Sequence, residues 1–393
     1  MTIDRRHAAL VSSPLLLIGV ALAAFNLRPA VTSIASVLGE VQGDVGASLV
    51  WASVLTAVPA ICFGLAAIAA PWLNRRLGLA QAIGLALAVL TFGLILRVLG
   101  GPWTVLGGTF IATSGIAIGN VLIPVVVKQS FPHAVGRVTG MYTSALAAGG
   151  GIAAAATPAL EHVLGGWRGA VGAWAALSAG ALALWLIGVR HEDDADVPTV
   201  TEARRRSLLR SPVAWVVTGF FAMQSCSAYI LMGWLVEFFV SHGVARTEAG
   251  IMLALMNLMG IPLNLVIPLL ALRRNSQSGW ILAVTASSMI AVIGLAAAPT
   301  AAPWVWTVLL GVGTATLPIA LGLIALRTAV PSETAALSAM SQGFGYLIAA
   351  AGPLAFGILH AMSTSWALPL LLLGVVTVVQ GMLGWLAGRP RLV

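Results

Sequence analysis

Charged side chains are scarce in this sequence. Only 8% of its 393 residues are Asp, Glu, Lys or Arg, whereas soluble domains carry roughly 25%. The mean hydropathy is +1.00, and 59% of the residues are hydrophobic. Such a chain has too little polar surface for a water-soluble domain. Because backbone groups inside a bilayer must be paired within their own segment, long apolar runs predict an all-α membrane protein.

Acidic residues and histidine are nearly absent from the apolar runs. All Asp and Glu except Glu237 fall in loops or tails, and the six His are terminal or near loops. A membrane enzyme needs a nucleophile with its base, paired carboxylates or a metal-ligand set, so we predict no enzyme, no metal and no cofactor. A channel would more naturally show a repeated filter sequence or a ring of charges, and neither occurs.

Cysteine is also scarce. Cys62 and Cys226 lie in separate apolar runs without metal-ligand spacing, so they predict buried small side chains and neither a disulfide nor a zinc site. The formal net charge is +8. It does not indicate a nucleic-acid partner, because the distribution of the basic residues along the chain explains it.

Apolar runs long enough to cross a bilayer recur through the whole sequence. A membrane helix needs about 20 such residues. The runs predict twelve spans, near 14–38, 49–71, 79–99, 103–127, 138–160, 168–189, 212–239, 248–272, 280–298, 303–326, 334–359 and 366–387.

The basic residues predict how these spans are oriented. With both termini in the cytoplasm, Arg28 lies within the membrane and only Arg97, Arg168 and Arg246 lie in outer loops. The other sixteen Lys and Arg are then cytoplasmic, as the positive-inside rule requires. We therefore expect a protein of the bacterial-type inner (plasma) membrane with cytoplasmic N- and C-termini.

The one long polar stretch divides the chain into two halves. Residues 190–211 predict a cytoplasmic linker between an N-terminal six-helix bundle (1–189) and a C-terminal six-helix bundle (212–393). The halves are weak repeats: Pro124 and Pro318 end the fourth and tenth spans, and Lys128 and Arg327 follow each. Parallel repeats of six spans with a site at their shared midplane are typical of one large class of transporters.

The most informative local sequence is Phe25-Asn26-Leu27-Arg28-Pro29, inside the first span. A guanidinium keeps its charge in any environment, and burying one in hydrocarbon costs at least about 2.5–3.5 kcal/mol. Pro29 cannot donate the helical hydrogen bond that the carbonyl of Phe25 would accept. A fixed cation beside a loosened turn predicts a site for a small polar or anionic solute.

The chain resembles the major facilitator superfamily. It shares twelve predicted spans in two halves and a short basic loop after the second span, where Pro71, Arg75, Arg76 and Gly78 occupy the places of a Gly-x-x-x-Asp-Arg-x-Gly motif. Only the Arg and the last Gly of that motif are kept. In the fifth span, Thr157-Pro158 stands where the antiporters of the superfamily carry Gly-Pro, so export is not implied.

More specific motifs resemble one family within that superfamily. Asn26-Leu27-Arg28-Pro29-Ala30-Val31, the Gly115–Pro124 segment and Gly166-Trp167-Arg168 are similar to the cyanate/2-nitroimidazole transporter family. The resemblance implies a secondary transporter of small, often anionic or nitro-substituted solutes. It also implies a pseudo-symmetric fold whose first, fourth, seventh and tenth spans line a central cavity.

Polar side chains within the spans are the candidates for solute contacts, since lipid-facing positions should lack them. Each also has a structural alternative, as a packing group or a back-bonded side chain. We expect Arg28 to anchor the solute and the others to orient it. The predicted substrate-binding residues are Asn26, Arg28, Asn120, Tyr142, Gln224, Tyr229, Gln342 and Tyr346. If transport is coupled to protons, Glu237 is the candidate residue.

The sequence therefore predicts a secondary transporter that works by alternating access, with Arg28 completed by a solute rather than by a protein carboxylate. Its expected partners are a small anionic solute, a proton as coupling ion and the lipid bilayer, and we expect a monomer. Two alternatives stay open. One is an efflux carrier of neutral aromatic compounds, and the other is a non-transporting solute sensor on the same fold.

Overall fold

The structure is a computed structural model that describes residues 14–131, 135–188, 208–271, 275–329, 331–363 and 365–393. These residues are almost entirely helical. The first half contains α1 (Pro14–Asn26), α2 (Pro29–Ser36), α3 (Leu38–Asp44), α4 (Leu49–Leu77), α5 (Leu79–Leu96), α6 (Pro102–Ser130), α7 (Val135–Val163) and α8 (Trp167–Gly188). The second half contains α9 (Pro212–Ser241), α10 (Arg246–Ala271), α11 (Ser278–Ala297), α12 (Pro303–Gly313), α13 (Thr316–Leu326), α14 (Pro331–Ser363) and α15 (Ala367–Ala387).

Ten segments of the described residues are long and apolar enough to cross a membrane. They include α1 with α2 as one segment, Leu16–Ser36, and α12 with α13 as another, Pro303–Ile324. Helices α7 and α10 are not among the ten, but they have comparable lengths of 29 and 26 residues. The all-α membrane fold is confirmed. Most of the predicted linker, 190–211, lies outside the described residues.

The first predicted span is broken at Leu27 and Arg28. Leu27 closes the end of α1 with a 3.1 Å bond from its N–H to the carbonyl of Ala24, and α2 begins at Pro29. Pro29 has no N–H for the carbonyl of Phe25, as the sequence predicts. Helix α7 packs directly on this break, since a Cβ at Gly149 would collide with that same carbonyl. The break places Arg28 between two helical segments.

The predicted span 303–326 is likewise two helices. After Gly313 the backbone keeps right-handed helical dihedral angles but tightens, since the N–H groups of Thr314 and Ala315 bond to carbonyls three residues back. The hydroxyls of Thr314 and Thr316 bond back to the carbonyls of Gly311 and Gly313 at 2.7 and 2.8 Å. Back-bonding hydroxyls bend membrane helices. Pro318, which has no N–H, adds to the interruption.

Small residues let helices of the first half approach helices of the second half closely. Helix α4 meets α14 where a Cβ on Gly64 would lie 2.6 Å from Cγ of Leu347, and α7 meets α10 where a Cβ on Gly250 would lie 2.6 Å from the carbonyl of Ala154. Without side-chain bulk the two backbones approach closely and gain dispersion contacts.

The described helices end at two opposite faces of the molecule. The α3 face carries α3, and there Arg168 pairs with Asp44 at 2.9 Å. The opposite, termini face carries the C-terminus, where the N–H of Val393 bonds to the carbonyl of Arg327 at 3.0 Å. Arg28 lies between the two faces.

Arg97 is buried to a degree that the sequence does not predict. The charge distribution predicts a loop position, whereas the side chain at the end of α5 is 0% exposed. It donates to the carbonyl of Ala30 at 2.6 Å and to the hydroxyl of Ser33 at 3.2 Å, and its Nε has no partner in the described residues. Arg97 thus ties α5 to α2, directly after the break that holds Arg28.

Candidate functional site

Arg28 points from the α1–α2 break toward the second half of the chain. Its Nη1 donates to Oδ1 of Asn257 on α10 at 3.0 Å and lies 3.9 Å from the sulfur of Met232 on α9. Arg28 as a whole residue is half-buried. Gly150 on α7 makes room for its stem, because a Cβ there would lie 3.1 Å from Cβ of Arg28. Arg28 therefore sits where the two halves meet.

No carboxylate neutralises this guanidinium within the described residues. The ion pairs that these residues form join Arg168 to Asp44 and Arg246 to Glu40 and Glu237, and none includes Arg28. Asn257 and Met232 contribute only a neutral oxygen and a weakly accepting sulfur. A cation held by neutral groups in a site of low dielectric attracts an anion more strongly than the same cation would in water.

An aromatic cluster, Phe63, Tyr229 and Tyr346, lies beside Arg28. The ring centroids of Phe63 are 5.3 Å from Tyr346 and 6.1 Å from Tyr229, and those of the two tyrosines are 6.2 Å apart. Both tyrosines are close enough to Arg28 to interact with it electrostatically. Their hydroxyls form no hydrogen bond to the described part of the chain, so they are available to a solute.

Three other predicted residues are occupied within their own helices. Nδ2 of Asn26 bonds to the carbonyl of Leu22 at 2.8 Å, Nε2 of Gln224 to the hydroxyl of Ser225 at 2.6 Å, and Nε2 of Gln342 to the hydroxyl of Ser338 at 2.8 Å. Asn26 and Gln224 are also buried. Of the predicted set, the structure brings Arg28, Tyr229 and Tyr346 together and does not bring these amides to them.

Asn120 and Tyr142 are half-buried on α6 and α7. Neither forms a hydrogen bond or a ring contact with the described residues. They therefore add no direct contact to the group around Arg28.

Asn257, Phe63 and Met232 complete the site and were not among the predicted binding residues. Asn257 is an amide in an apolar run, so the sequence marks it as a candidate for a solute contact. Asn264 in the same run is an equally good candidate. Phe63 and Met232 carry no polar group to mark them. Only the packing of α4, α9 and α10 shows which of these side chains face Arg28.

A small apolar cavity continues from this site toward the α3 face. It is bordered by Tyr229 and Met232, and it contains one hydroxyl without a hydrogen-bond partner, Oγ1 of Thr109. The other lining residues are Val31, Ile34, Ala35, Leu38, Leu55, Thr56, Pro59 and Gly233. The cavity narrows where a Cβ on Gly233 would lie 2.9 Å from Cβ of Thr56.

Beyond the cavity, charged residues of both halves meet at the α3 face. Arg246, at the start of α10, forms ion pairs through its Nε with Glu40 of α3 and through its Nη1 with Glu237 of α9, the latter at 3.3 Å. Gly39 allows this approach, since a Cβ there would lie 2.8 Å from Oε2 of Glu237 and 2.9 Å from Nη2 of Arg246. We call Glu40, Glu237 and Arg246 the α3-face cluster. It places Glu237 in an ion pair away from Arg28.

Comparison with known proteins agrees with the fold and with a transporter. A family model described as Major Facilitator Superfamily matches residues 15–320. The 2-nitroimidazole transporter of Escherichia coli (strain K12) is 33% identical over 96% of each chain. The cyanate transport protein CynX of the same organism is 27% identical over 89% of this chain and 91% of that one.

Among solved structures, a bacterial homologue of the human lysosomal transporter Spinster superposes with a TM-score of 0.77 at 15% identity, covering 96% of this chain and 98% of that one. The nucleoside transporter NupG superposes with a TM-score of 0.73 at 13% identity, covering 95% and 100%. At such identities these two show the fold alone. The predicted integral membrane transporter, rather than an enzyme, is confirmed by the family model and by the relatives' names. The chain belongs to the major facilitator superfamily, within the cyanate/2-nitroimidazole transporter family.

Proposed function

We propose that this protein is a secondary active transporter of a small anionic or nitro-substituted organic solute, and that Arg28 is the anchor for the solute. The observation that carries the proposal is the Arg28 guanidinium at the junction of the two halves, held by Asn257 and without a carboxylate in the described residues. Relatives named for 2-nitroimidazole and cyanate transport support this chemistry, since a nitro group and cyanate both present electron-rich acceptor atoms.

The proposed transport cycle is alternating access. In it, a first bundle of six spans (1–189) rocks against a second (212–393) about the midplane site, with residues 190–211 as cytoplasmic linker. We propose twelve spans, which would put both termini on the same side, and the distribution of basic residues favours the cytoplasm of a bacterial-type inner membrane for that side and the outside for the α3 face. The close glycine contacts of α4 with α14 and of α7 with α10 support such rocking. We propose that the working unit is a monomer.

Binding at this site uses the charge of Arg28 and the shape of the aromatic cluster. The guanidinium presents a planar fork of donors to two acceptor atoms of a nitro or carboxylate group. Phe63, Tyr229 and Tyr346 offer to a planar body their ring faces and two hydroxyls that form no hydrogen bond with the described residues. Movement of α9 and α10 then changes both contacts at once, because Met232 and Asn257 travel with those helices.

The test is uptake and counterflow in proteoliposomes that contain the purified protein, with 2-nitroimidazole, cyanate and small carboxylates as probes. Arg28→Ala should weaken binding about 10- to 100-fold, the range expected for a charge-assisted hydrogen bond of about 1.5–3 kcal/mol. Arg28→Lys should recover only part of it, because Lys keeps the charge but loses the fork. Arg391→Ala, which removes an exposed arginine near the C-terminus, is the matched control. Wild-type uptake in both Arg28 variants would refute the anchor role.

The aromatic cluster favours one alternative, an efflux carrier of neutral aromatic compounds. The same variants separate the two functions, since an aromatic carrier should keep most of its activity in Arg28→Ala and lose it in Phe63→Ala. A solute sensor on this fold would bind the probe and show no counterflow.

A further inference from the structure

The α3-face cluster links the two halves of the chain through one cation and two carboxylates. Glu40 belongs to the first half, whereas Glu237 and Arg246 belong to the second. Gly39 brings α3 so close that any side chain there would enter the ion pairs. Any separation of α3 from α9 and α10 must therefore break the pair between Arg246 and Glu40.

Glu40 has one carboxylate oxygen that nothing in the described residues satisfies. Oε1 pairs with Arg246, while Oε2 is buried and has no hydrogen-bond partner. An ionised carboxylate loses much of its hydration in this position, which costs free energy unless it is fully paired. A neutral carboxyl group would lose much less.

The charges around Glu40 do not remove this cost. Burial raises the pKa of the Glu40 carboxyl most, Arg246 and the backbone N–H of Glu40 lower it, and the carboxylates of Glu161 on α7 and Glu237 on α9 raise it again. The net direction is upward. Other charges at this face are engaged elsewhere: Asp44 pairs with Arg168, and Glu248 accepts a 3.2 Å bond from Trp304. Arg246 thus pairs with two carboxylates, those of Glu40 and Glu237.

We propose that Glu40 is the proton-binding residue of a latch, formed with Arg246 and Glu237, that holds the α3 face closed when Glu40 is protonated. With Glu40 neutral, Oε1 can still accept a hydrogen bond from Arg246, so the link between the halves is kept, while Glu237 balances the charge of Arg246 and the repulsion among the carboxylates is reduced. Opening of the face hydrates Glu40 and returns its proton to water. The proposal rests on alternating access between the two halves, and it assigns the coupling proton to Glu40 rather than to Glu237.

The direction of the pH effect follows from linkage. Since the closed form binds this proton more tightly than an open, hydrated form, falling pH favours closure and rising pH favours opening. The change from the closed to the open form occurs above the ordinary pKa of a glutamate, about 4.3, because burial raises the pKa of Glu40.

The test needs no solute, so its result is independent of the role of Arg28. Spin labels on Val50→Cys and Thr247→Cys, two exposed positions on opposite sides of the cluster, report the distance across the α3 face in the full-length protein with Cys62 and Cys226 replaced by Ala. In the wild-type background the long-distance population should grow as the pH is raised from about 5 to about 8. In Glu40→Gln, a neutral isostere of the protonated carboxyl, the short distance should persist at every pH.

Two further variants check that the latch is the cause. Glu237→Gln should keep a pH dependence, since Glu40 remains to titrate. Gly39→Ala should favour the long distance throughout by inserting a methyl group among the ion pairs, whereas Gly43→Ala, one turn along α3 with nothing within 4 Å, should behave as wild type. A wild-type distance that ignores pH would overturn the proposal, as would a pH dependence retained in Glu40→Gln or lost only in Glu237→Gln.

Discussion

Arg28 and Asn257 are 229 residues apart in sequence and joined by a 3.0 Å hydrogen bond between their side chains. The bond connects the break in the first span to α10 of the second half. Because an amide oxygen accepts the bond without bringing a charge, the position of the guanidinium is fixed while its positive charge stays uncompensated. A solute with a negative charge therefore gains the electrostatic attraction to Arg28 that Asn257, being neutral, leaves available.

Asn257→Asp should abolish binding of anionic solutes. The new carboxylate would replace the amide at the same distance from Nη1 and neutralise Arg28 internally, so the solute would have to displace an ion pair. We expect affinity to fall by at least about 100-fold, since ion pairs shielded from water are costly to break. Binding is measured by calorimetry or by thermal shift with the solute.

Asn257→Ala is the matched control, because it removes the hydrogen bond without adding a charge. We expect only a loss of up to about tenfold, the effect of one neutral acceptor. If the Ala variant lost as much affinity as the Asp variant, the geometry rather than the charge of Arg28 would govern binding.

The hydroxyls of Tyr229 and Tyr346 should matter for the solute and not for stability. Neither forms a hydrogen bond within the described residues, so Phe at either position removes no internal bond. We expect unchanged thermal unfolding and a several-fold weaker solute affinity, corresponding to about 0.5–1.5 kcal/mol per hydroxyl. A lowered melting temperature in Tyr229→Phe would instead indicate a structural partner for that hydroxyl.

Gly149→Ala should destabilise the fold. Its methyl group would collide with the carbonyl of Phe25, a backbone atom that cannot rotate away, so α7 must shift from the α1–α2 break. Overpacking of this kind costs about 1–3 kcal/mol, and we expect a lower melting temperature in detergent. Gly180→Ala, with nothing within 4 Å, should be neutral or slightly stabilising.

The contact of Asp44 with Trp167 and Arg168 should give a small contribution to stability that depends on pH only in acid. The hydrogen bond from Trp167 lowers the pKa of Asp44 most, and the bond from Arg168 lowers it further. A carboxylate with a lowered pKa stabilises the fold above its ordinary value, about 3.9, and loses that effect as pH falls below it.

The measurement is the difference in melting temperature between wild type and Asp44→Asn. It should be constant at neutral pH, begin to fall near pH 4 and vanish only below the lowered pKa of Asp44 in the folded protein. Glu161→Gln changes a carboxylate at the same face that forms no ion pair in the described residues, so it should not show this profile. Because the pair is exposed to solvent, added salt should reduce the difference.

Arg28 could be selected from the sequence because its signal is local. A guanidinium next to a proline, within an apolar run, demands a partner or an aqueous cavity wherever the fold places it. The all-α membrane fold was predictable for a similar reason, since lipid leaves the backbone few alternatives.

Asn257 and Phe63 could not be selected in the same way. Which amide on α10 meets Arg28 depends on the rotation of that helix about its axis, and the apolar sequence on both sides leaves the rotation undetermined. Phe63 resembles any packing residue. Conversely, Asn26 and Gln224 look functional in sequence, but they satisfy their own helices, an outcome that only backbone geometry decides.

The pairing of Glu40 with Arg246 shows a third limit. Both residues are loop charges in the sequence, on different halves, and nothing in their spacing predicts that they meet. Their contact depends on how the two halves close over each other, which is a property of one conformation of the molecule.

Arg97 has a consequence for biogenesis. Its guanidinium finds its acceptors, Ala30 and Ser33, on a helix that is synthesised well before α5. A nascent α5 that left the insertion machinery alone would bring this cation to the edge of the hydrocarbon without its acceptors. We therefore expect α2 to stay next to the lateral exit of the insertion machinery until α5, the third span, has been synthesised. The two helices then enter the bilayer together.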